Sequence, residues 1–282
     1  MALKFSVEST VTSRQNPTVK RVCALLEKKA RKKERLFRFD GIKLLYEALT
    51  KGVGVELVVL SEAMDKAVFE RICLLVEGGL LDEKKIFYVS GQVFEKMSEE
   101  SSPEGVITVA RFIENKHREV GSAEEYSVER EKRILLVEAL RDPGNLGTVI
   151  RTSAALGIDK LIVTDDCADL YNPKTVRAAM GGLFSLDIDI VKADRLPTFI
   201  RALVSDGRKI YATALTEGAR AIGTIELARG DAFVIGNEGH GLSSQAVEAA
   251  SGVTVIPMTE GSESLNAAAA AAICIWETVR AK

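Results

Sequence analysis

The chain has 282 residues, 46% of them hydrophobic and 28% charged, with a net charge of −2. This describes a folded chain with room for about two domains, and it excludes disordered and fibrous classes. Four scattered cysteines without a CxxC pair, accompanied by only two histidines, argue against a disulfide framework and against a bound metal.

Charge is unevenly spread. The first 45 residues hold twelve Lys or Arg against four acids, +8 in all, so the remainder carries −10. Such asymmetry points to a polyanion at one end of the chain. Apolar residues Val22, Leu25 and Leu26 predict a helix over 19–30, and the stretch LEKKARKKERLFRF then carries dense positive charge. Lys28, Lys29, Arg31, Lys32, Lys33 and Arg35 are therefore candidates for RNA phosphate contact. Alternation follows: a helix over 42–49, the strand VELVVL, a helix over 65–76, the strand KIFYV, a short helix over 92–97 and the strand GVITVAR ending near Arg111. A small α/β domain over residues 1–112 is expected. Gly52 and Gly54 precede a strand rather than follow one, so no dinucleotide fingerprint lies there. Residues 113–132 are polar, without a sustained apolar period, and read as a linker.

Residues 133–282 read as a second α/β domain. The strand ILLVEAL runs into Asp142-Pro143-Gly144, a turn that Asn145 is placed to cap, and a helix carries Arg151 six residues on. Polar side chains thus emerge at the carboxyl end of a strand, where open α/β sheets bind ligands. The strand KLIVTD, a helix after Pro173, the strand DIDIV, the helix LPTFIRALVS, the strand KIYATAL and the strand DAFVIG follow. DAFVIG enters Gly236-Asn-Glu-Gly-His-Gly241, a glycine-rich bend in which Glu238 is the one carboxylate and His240 reads as incidental. No Lys-Ser/Thr ending marks that loop as a phosphate cradle.

The last stretch, Val253 to Glu277, breaks at Pro257, passes a glycine turn and enters a helix whose first six residues, 267–272, are all alanine. Ser264 stands where an N-cap belongs, and Asn266 would present its carboxamide from the first turn. Free N–H groups there attract polar or anionic ligand groups, so the joint reads as a cofactor site. The chain has neither a basic-then-apolar leader nor a charge-free apolar run of about 18 residues, so no membrane partner is expected and the location is expected to be cytoplasmic.

Three motifs stand in fixed order: NLGTVIR at 145–151, IGNEGHGLS at 235–243 and IPMTEGSESLN at 256–266. Together they resemble the motifs of the SpoU (TrmH-like) family of RNA 2′-O-ribose methyltransferases, within the SPOUT superfamily. YNPKTVRAAMGGLF at 171–184 belongs to the same resemblance. SRQNPTVKRV and SSPEGVITVA give the first domain a weaker similarity to the family's ribosomal-protein-like substrate-binding domain. The resemblance implies a knotted (trefoil) α/β methyltransferase domain, a homodimer formed through it, and S-adenosylmethionine as cofactor. It implies ribosomal RNA as substrate, with transfer RNA as the alternative; a non-catalytic RNA-binding protein of the same fold is the reading from another class.

Carried over by position, Asn145, Arg151, Glu238, Ser264 and Asn266 form the catalytic set. Thr213, Leu215, Gly236, Asn237, Ile256, Met258 and Leu265 form the cofactor set. A guanidinium is a poor base, so Arg151 is expected to hold a phosphate and orient the ribose hydroxyl, with Glu238 and Ser264 fixing Arg151 and the loops.

Overall fold

The computed structural model describes residues 10–123, 126–216, 218–259 and 264–281. The cation Lys4 and the glycine turn expected before the last helix lie outside the described residues. The chain divides into two compact units, one of residues 1–113 with 171–177, the other of 114–170 with 178–282.

The first unit contains α1 (Pro17–Ala24), α2 (Lys28–Glu34), β1 (Leu36–Asp40), α3 (Ile42–Thr50), β2 (Val55–Ser61), α4 (Lys66–Glu77), β3 (Ile86–Val89), α5 (Gly91–Met97) and β4 (Val106–Arg111). Its sheet runs β1-β4-β2-β3, with β4 antiparallel to β1 and β2, and β3 parallel to β2. Val19, Val22 and Leu25 pack into a core with Val59, Val93, Phe94 and Ile107. The single helix expected over 19–30 is two. Asn16 caps α1, its side chain accepting from Thr18 N at 2.8 Å, and the helix stops at Ala24. The carbonyls freed at that break are taken up by Arg31, whose Nη1 donates to Leu25 O at 2.9 Å and Leu26 O at 2.6 Å. Sequence pattern also missed β1, because Arg38 interrupts its apolar run directly after the charged helix. Arg38 is buried in the strand, donating to Met97 O and to Asp40 Oδ1. Residues 171–177 complete this unit: Tyr171 stacks on Phe112 at 3.9 Å between ring centroids, lies 4.7 Å from Phe37, and accepts from Ile113 N at 2.7 Å.

The second unit contains β5 (His117–Val120), β6 (Ile134–Val137), α6 (Pro143–Leu156), β7 (Lys160–Thr164), the end of α7 (Pro173–Ala179), β8 (Asp187–Val191), α8 (Leu196–Ser205), β9 (Ile210–Thr213), β10 (Arg220–Ala221), β11 (Ala232–Ile235), α9 (Ser244–Ala249), β12 (Gly252–Val255) and α10 (Ala267–Arg280). The sheet order is β10-β12-β9-β11-β6-β7-β8-β5, and every pairing is parallel. Parallel strands covered on both faces read as unbroken apolar runs, and β6, β7 and β11 are buried at every position. The chain builds outward from β6 through β7 to β8, then returns to the other side of β6 with β9 and β11. The carboxyl ends of β6 and β11 therefore flank the point where strand order reverses, the usual place for a ligand crevice. Among the described residues no helix is long and apolar enough to cross a membrane.

Part of the stretch read as a linker is structural. Strand β5 closes one edge of the sheet against β8. Its charges looked solvated in sequence, but they converge on a buried carboxylate. Asp189, fully buried, accepts from Arg118 Nη2 at 3.0 Å, Tyr126 Oη at 2.8 Å and Lys160 Nζ at 2.7 Å. Burial, and then the charge of Asp189, push the Tyr126 phenol up. His117 is buried beside Leu183 O at 3.1 Å, and desolvation pushes its pKa down to about 4.

Candidate active site

The loop leaving β6 positions the start of α6. Asp142, not Asn145, is the N-cap: its Oδ1 accepts from Asn145 N at 2.7 Å, and Pro143 occupies the first turn without wasting a donor. Asn145 is thereby a helical residue whose side chain is free to reach outward. Its Nδ2 donates to Glu238 Oε1 at 3.1 Å, and its Oδ1 accepts from Asn266 Nδ2 at 3.0 Å. Asn266, not Ser264, caps α10, its Oδ1 accepting from Ala268 N at 2.9 Å and Ala269 N at 3.3 Å. Three side chains separated by 93 and 121 residues of chain thus form one hydrogen-bonded run.

Glu238 also accepts from Asp142 N at 3.3 Å and from Asn237 Nδ2 at 3.3 Å. Its carboxylate holds the start of α6 to the glycine loop, and does not fix Arg151 as expected. The Arg151 side chain is exposed and forms no hydrogen bond or ion pair among the described residues. Nor does Ser264 fix it; Ser264 lies instead on the wall of a cavity.

The glycine loop is closed by Asn237. Its N and O pair with Gly241 at 2.9 and 3.0 Å, its Oδ1 accepts from Gly239 N and His240 N, and its Nδ2 donates to Ala139 O at 2.7 Å. A Cβ at Gly236 would lie 2.3 Å from the Gly241 carbonyl carbon, so no other residue fits where the two backbones cross. One supporting residue escaped the sequence reading. Glu138, at the end of β6 and nearly buried, accepts from Ser243 Oγ at 2.6 Å and Ser243 N at 2.8 Å, tying β6 to the cap of α9. An acid inside the run ILLVEAL was the available signal.

These loops enclose a cavity of about 800 Å³. Thr213 and Leu215 line it from the end of β9, Gly236 and Asn237 from the glycine loop, and Ile256, Met258 and Leu265 from the approach to α10. Glu238, Ser264 and His240 line it too, whereas Asn145 and Asn266 join it through Glu238. No Lys or Arg is among the described lining residues, and Glu238 and Glu248 are. Such a wall suits a nucleoside-like ligand that is neutral or cationic, such as a sulfonium, and disfavours a polyphosphate.

In the first unit, Lys28, Lys29, Lys32 and Lys33 are all exposed on α2. Arg31 is not: at 1% exposure, with its guanidinium on two carbonyls, it is withdrawn from the phosphate-binding set. Arg35 ends α2 in the left-handed region and lies over the Phe112 ring at 4.8 Å.

A parallel sheet whose strand-order reversal carries a glycine-crossed cavity, without lysine or arginine among its described lining residues, is an α/β arrangement suited to a neutral or cationic ligand. Residues 132–276 match the SpoU rRNA methylase family, and residues 16–108 match the MRM3-like substrate binding domain. The chain belongs to the SpoU rRNA methylase family: it is a methyltransferase of RNA, and S-adenosylmethionine is its methyl donor. It is 33% identical to the 23S rRNA (guanosine(2553)-2′-O)-methyltransferase of Bacillus subtilis, over 94% of this chain and 97% of that one. Among solved structures, it is similar to an S-adenosylmethionine-bound rRNA methyltransferase from Sinorhizobium meliloti, with TM-score 0.79, 29% identity and coverage of 96% and 97%. An RNA 2′-O ribose methyltransferase matches with TM-score 0.78, 29% identity and coverage of 96% and 98%.

Proposed function

We propose that this chain methylates a ribose 2′-hydroxyl of ribosomal RNA. The observation that carries the reading is the hydrogen-bonded run from Asn266 through Asn145 to Glu238, set beside a cavity with no lysine or arginine among its described lining residues. When bound, S-adenosylmethionine supplies an electrophilic methyl group on a positively charged sulfur. The chain's own residues then have to orient a weak nucleophile, and orientation is where a protein gains most in such a reaction. Asn145 is held at both ends of its carboxamide and Asn266 is locked by capping α10, which makes them a rigid polar wall. Arg151 projects from α6 with no partner among the described residues. A guanidinium stays charged at physiological pH, so Arg151 grips the phosphate beside the target ribose rather than accepting its proton.

Thr213, Leu215, Gly236, Asn237, Ile256, Met258 and Leu265 hold the cofactor, and Lys28, Lys29, Lys32, Lys33 and Arg35 hold RNA phosphates. The methyltransferase domain forms a homodimer: Trp276 is 56% exposed on α10, among small alanines that let a second copy approach. The trefoil knot and a cytoplasmic location belong to the same proposal. Ribosomal rather than transfer RNA is favoured because the match to the ribosomal enzyme runs through both units. The test is transfer of labelled methyl from S-adenosylmethionine to ribosomal RNA from cells lacking this protein, followed by nuclease mapping. Alkali-resistant 2′-O-methyl dinucleotides are expected; label on a base, or in transfer RNA alone, would overturn the reading.

A further inference from the structure

The first unit has an apolar groove apart from its lysine-rich helix. Residues 42 and 46 share one face of α3, and 71, 74 and 75 share one face of α4, by helical spacing. Between these faces lies a concavity of about 370 Å³ lined by Ile42, Lys43, Tyr46, Arg71, Leu74 and Leu75. Ile42 and Leu75 are buried and form its floor, whereas Tyr46 is 52% and Leu74 67% exposed. The tyrosine ring and the leucine on its rim thus present apolar area that a bound group could cover. The two charged groups that line the groove with the tyrosine are both cations, and neither Lys43 nor Arg71 forms an ion pair or side-chain hydrogen bond among the described residues. The neighbouring acid Glu70 is turned to Lys66 at 3.7 Å.

We propose that this groove holds an unpaired nucleobase of the RNA substrate, stacked on Tyr46 and packed against Leu74, with flanking phosphates on Lys43 and Arg71. An aromatic ring beside free cations is the combination that single-stranded RNA recognises, the ring taking a base face and the cations the backbone. A second protein chain would be met by two unpaired positive charges, while RNA neutralises both. The proposal rests on the substrate being RNA. It adds a selectivity for unpaired over helical RNA that the lysines of α2 cannot supply, because phosphate contacts alone do not distinguish strands by their bases.

The test measures binding and methylation with the full-length protein and two versions of a ribosomal RNA stem-loop, one with its loop nucleotides and one closed as a continuous duplex. Tyr46→Ala is expected to weaken binding of the stem-loop about tenfold, the effect of losing one base stack, raising KM with kcat at saturating RNA unchanged. Tyr46→Phe should bind like wild type, and the duplex should bind wild type and Tyr46→Ala alike. Lys43→Gln with Arg71→Gln should weaken binding and flatten its salt dependence. S-adenosylmethionine affinity by calorimetry should not move. Unchanged stem-loop binding by Tyr46→Ala, or equal weakening with the duplex, would overturn the proposal. A shift of oligomeric state on Tyr46→Ala in sedimentation would assign the groove to a second copy instead. Failure of wild type to bind either RNA would count against the ribosomal RNA reading itself.

Discussion

Arg151 and Arg31 look alike in the sequence, each an arginine in a helix near a motif, and the structure gives them opposite tasks. Arg151 is exposed and unengaged among the described residues, so Arg151→Ala should abolish methyl transfer while leaving S-adenosylmethionine affinity within a few-fold. Arg151→Lys should recover little, because a lysine is a point charge without the planar fork that holds a phosphate in one orientation. Single-turnover assays with calorimetry on each variant check this; a fully active lysine variant would show that charge alone suffices. Arg31 is internal. Arg31→Ala leaves the Leu25 and Leu26 carbonyls without their donor and should cost about 1–3 kcal/mol in denaturant unfolding. Lys32→Gln with Lys33→Gln should leave stability nearly unchanged. It should also lower the slope of log affinity against log salt by about 0.7–0.9 for each phosphate no longer neutralised. Both residue types were visible in the sequence, but only packing separates a stem-buried arginine from a solvated lysine. The candidate site residues could be named from the sequence because their motifs are local. Their partnership could not, since nothing in the spacing of Asn145, Glu238 and Asn266 says which amide faces which carboxylate.

Elements were legible where burial produces a simple pattern. The apolar runs ILLV, KLIVT and AFVI announce buried strands, and DIDIV reads as a strand although its burial does not alternate, Asp189 being fully buried. Two of the missed strands carry charges that are satisfied internally: β1 hides Arg38, and β5 brings Arg118 to Asp189. His117, which opens β5, makes the second case testable by pH. Its folded pKa of about 4 lies below the ordinary histidine value, so the unfolded chain binds the proton first. Stability from this residue is therefore full above about pH 6.5 and declines as pH falls toward 4. A His117→Gln variant should lose part of that acid-side decline in urea titrations across this range. An identical pH dependence in variant and wild type would mean that other groups carry it.

The two-part organisation of the molecule was legible from charge and pattern, but its division along the chain is not a single cut. Residues 171–177, deep in the methylase portion of the sequence, belong to the first unit through the rings of Phe37, Phe112 and Tyr171. A fragment beginning at residue 113 removes the two phenylalanines and keeps the tyrosine. It should still bind S-adenosylmethionine, because the cavity draws on residues from Thr213 onward. It should also bind RNA weakly and be cut by protease within 171–177, where intact protein resists. Limited proteolysis followed by mass measurement checks this, and resistance in the fragment would mean that the segment holds its form without those rings.

The absence of lysine and arginine from the described residues of the cavity wall bears on turnover as well as on recognition. Methyl transfer erases the positive charge on sulfur, so donor and spent product differ by one charge while sharing nearly every atom. A wall bearing carboxylates and no cation holds the charged form better than the neutral one. A cavity that holds the donor in this way should release S-adenosylhomocysteine more readily than S-adenosylmethionine, an order that calorimetry with the two compounds checks.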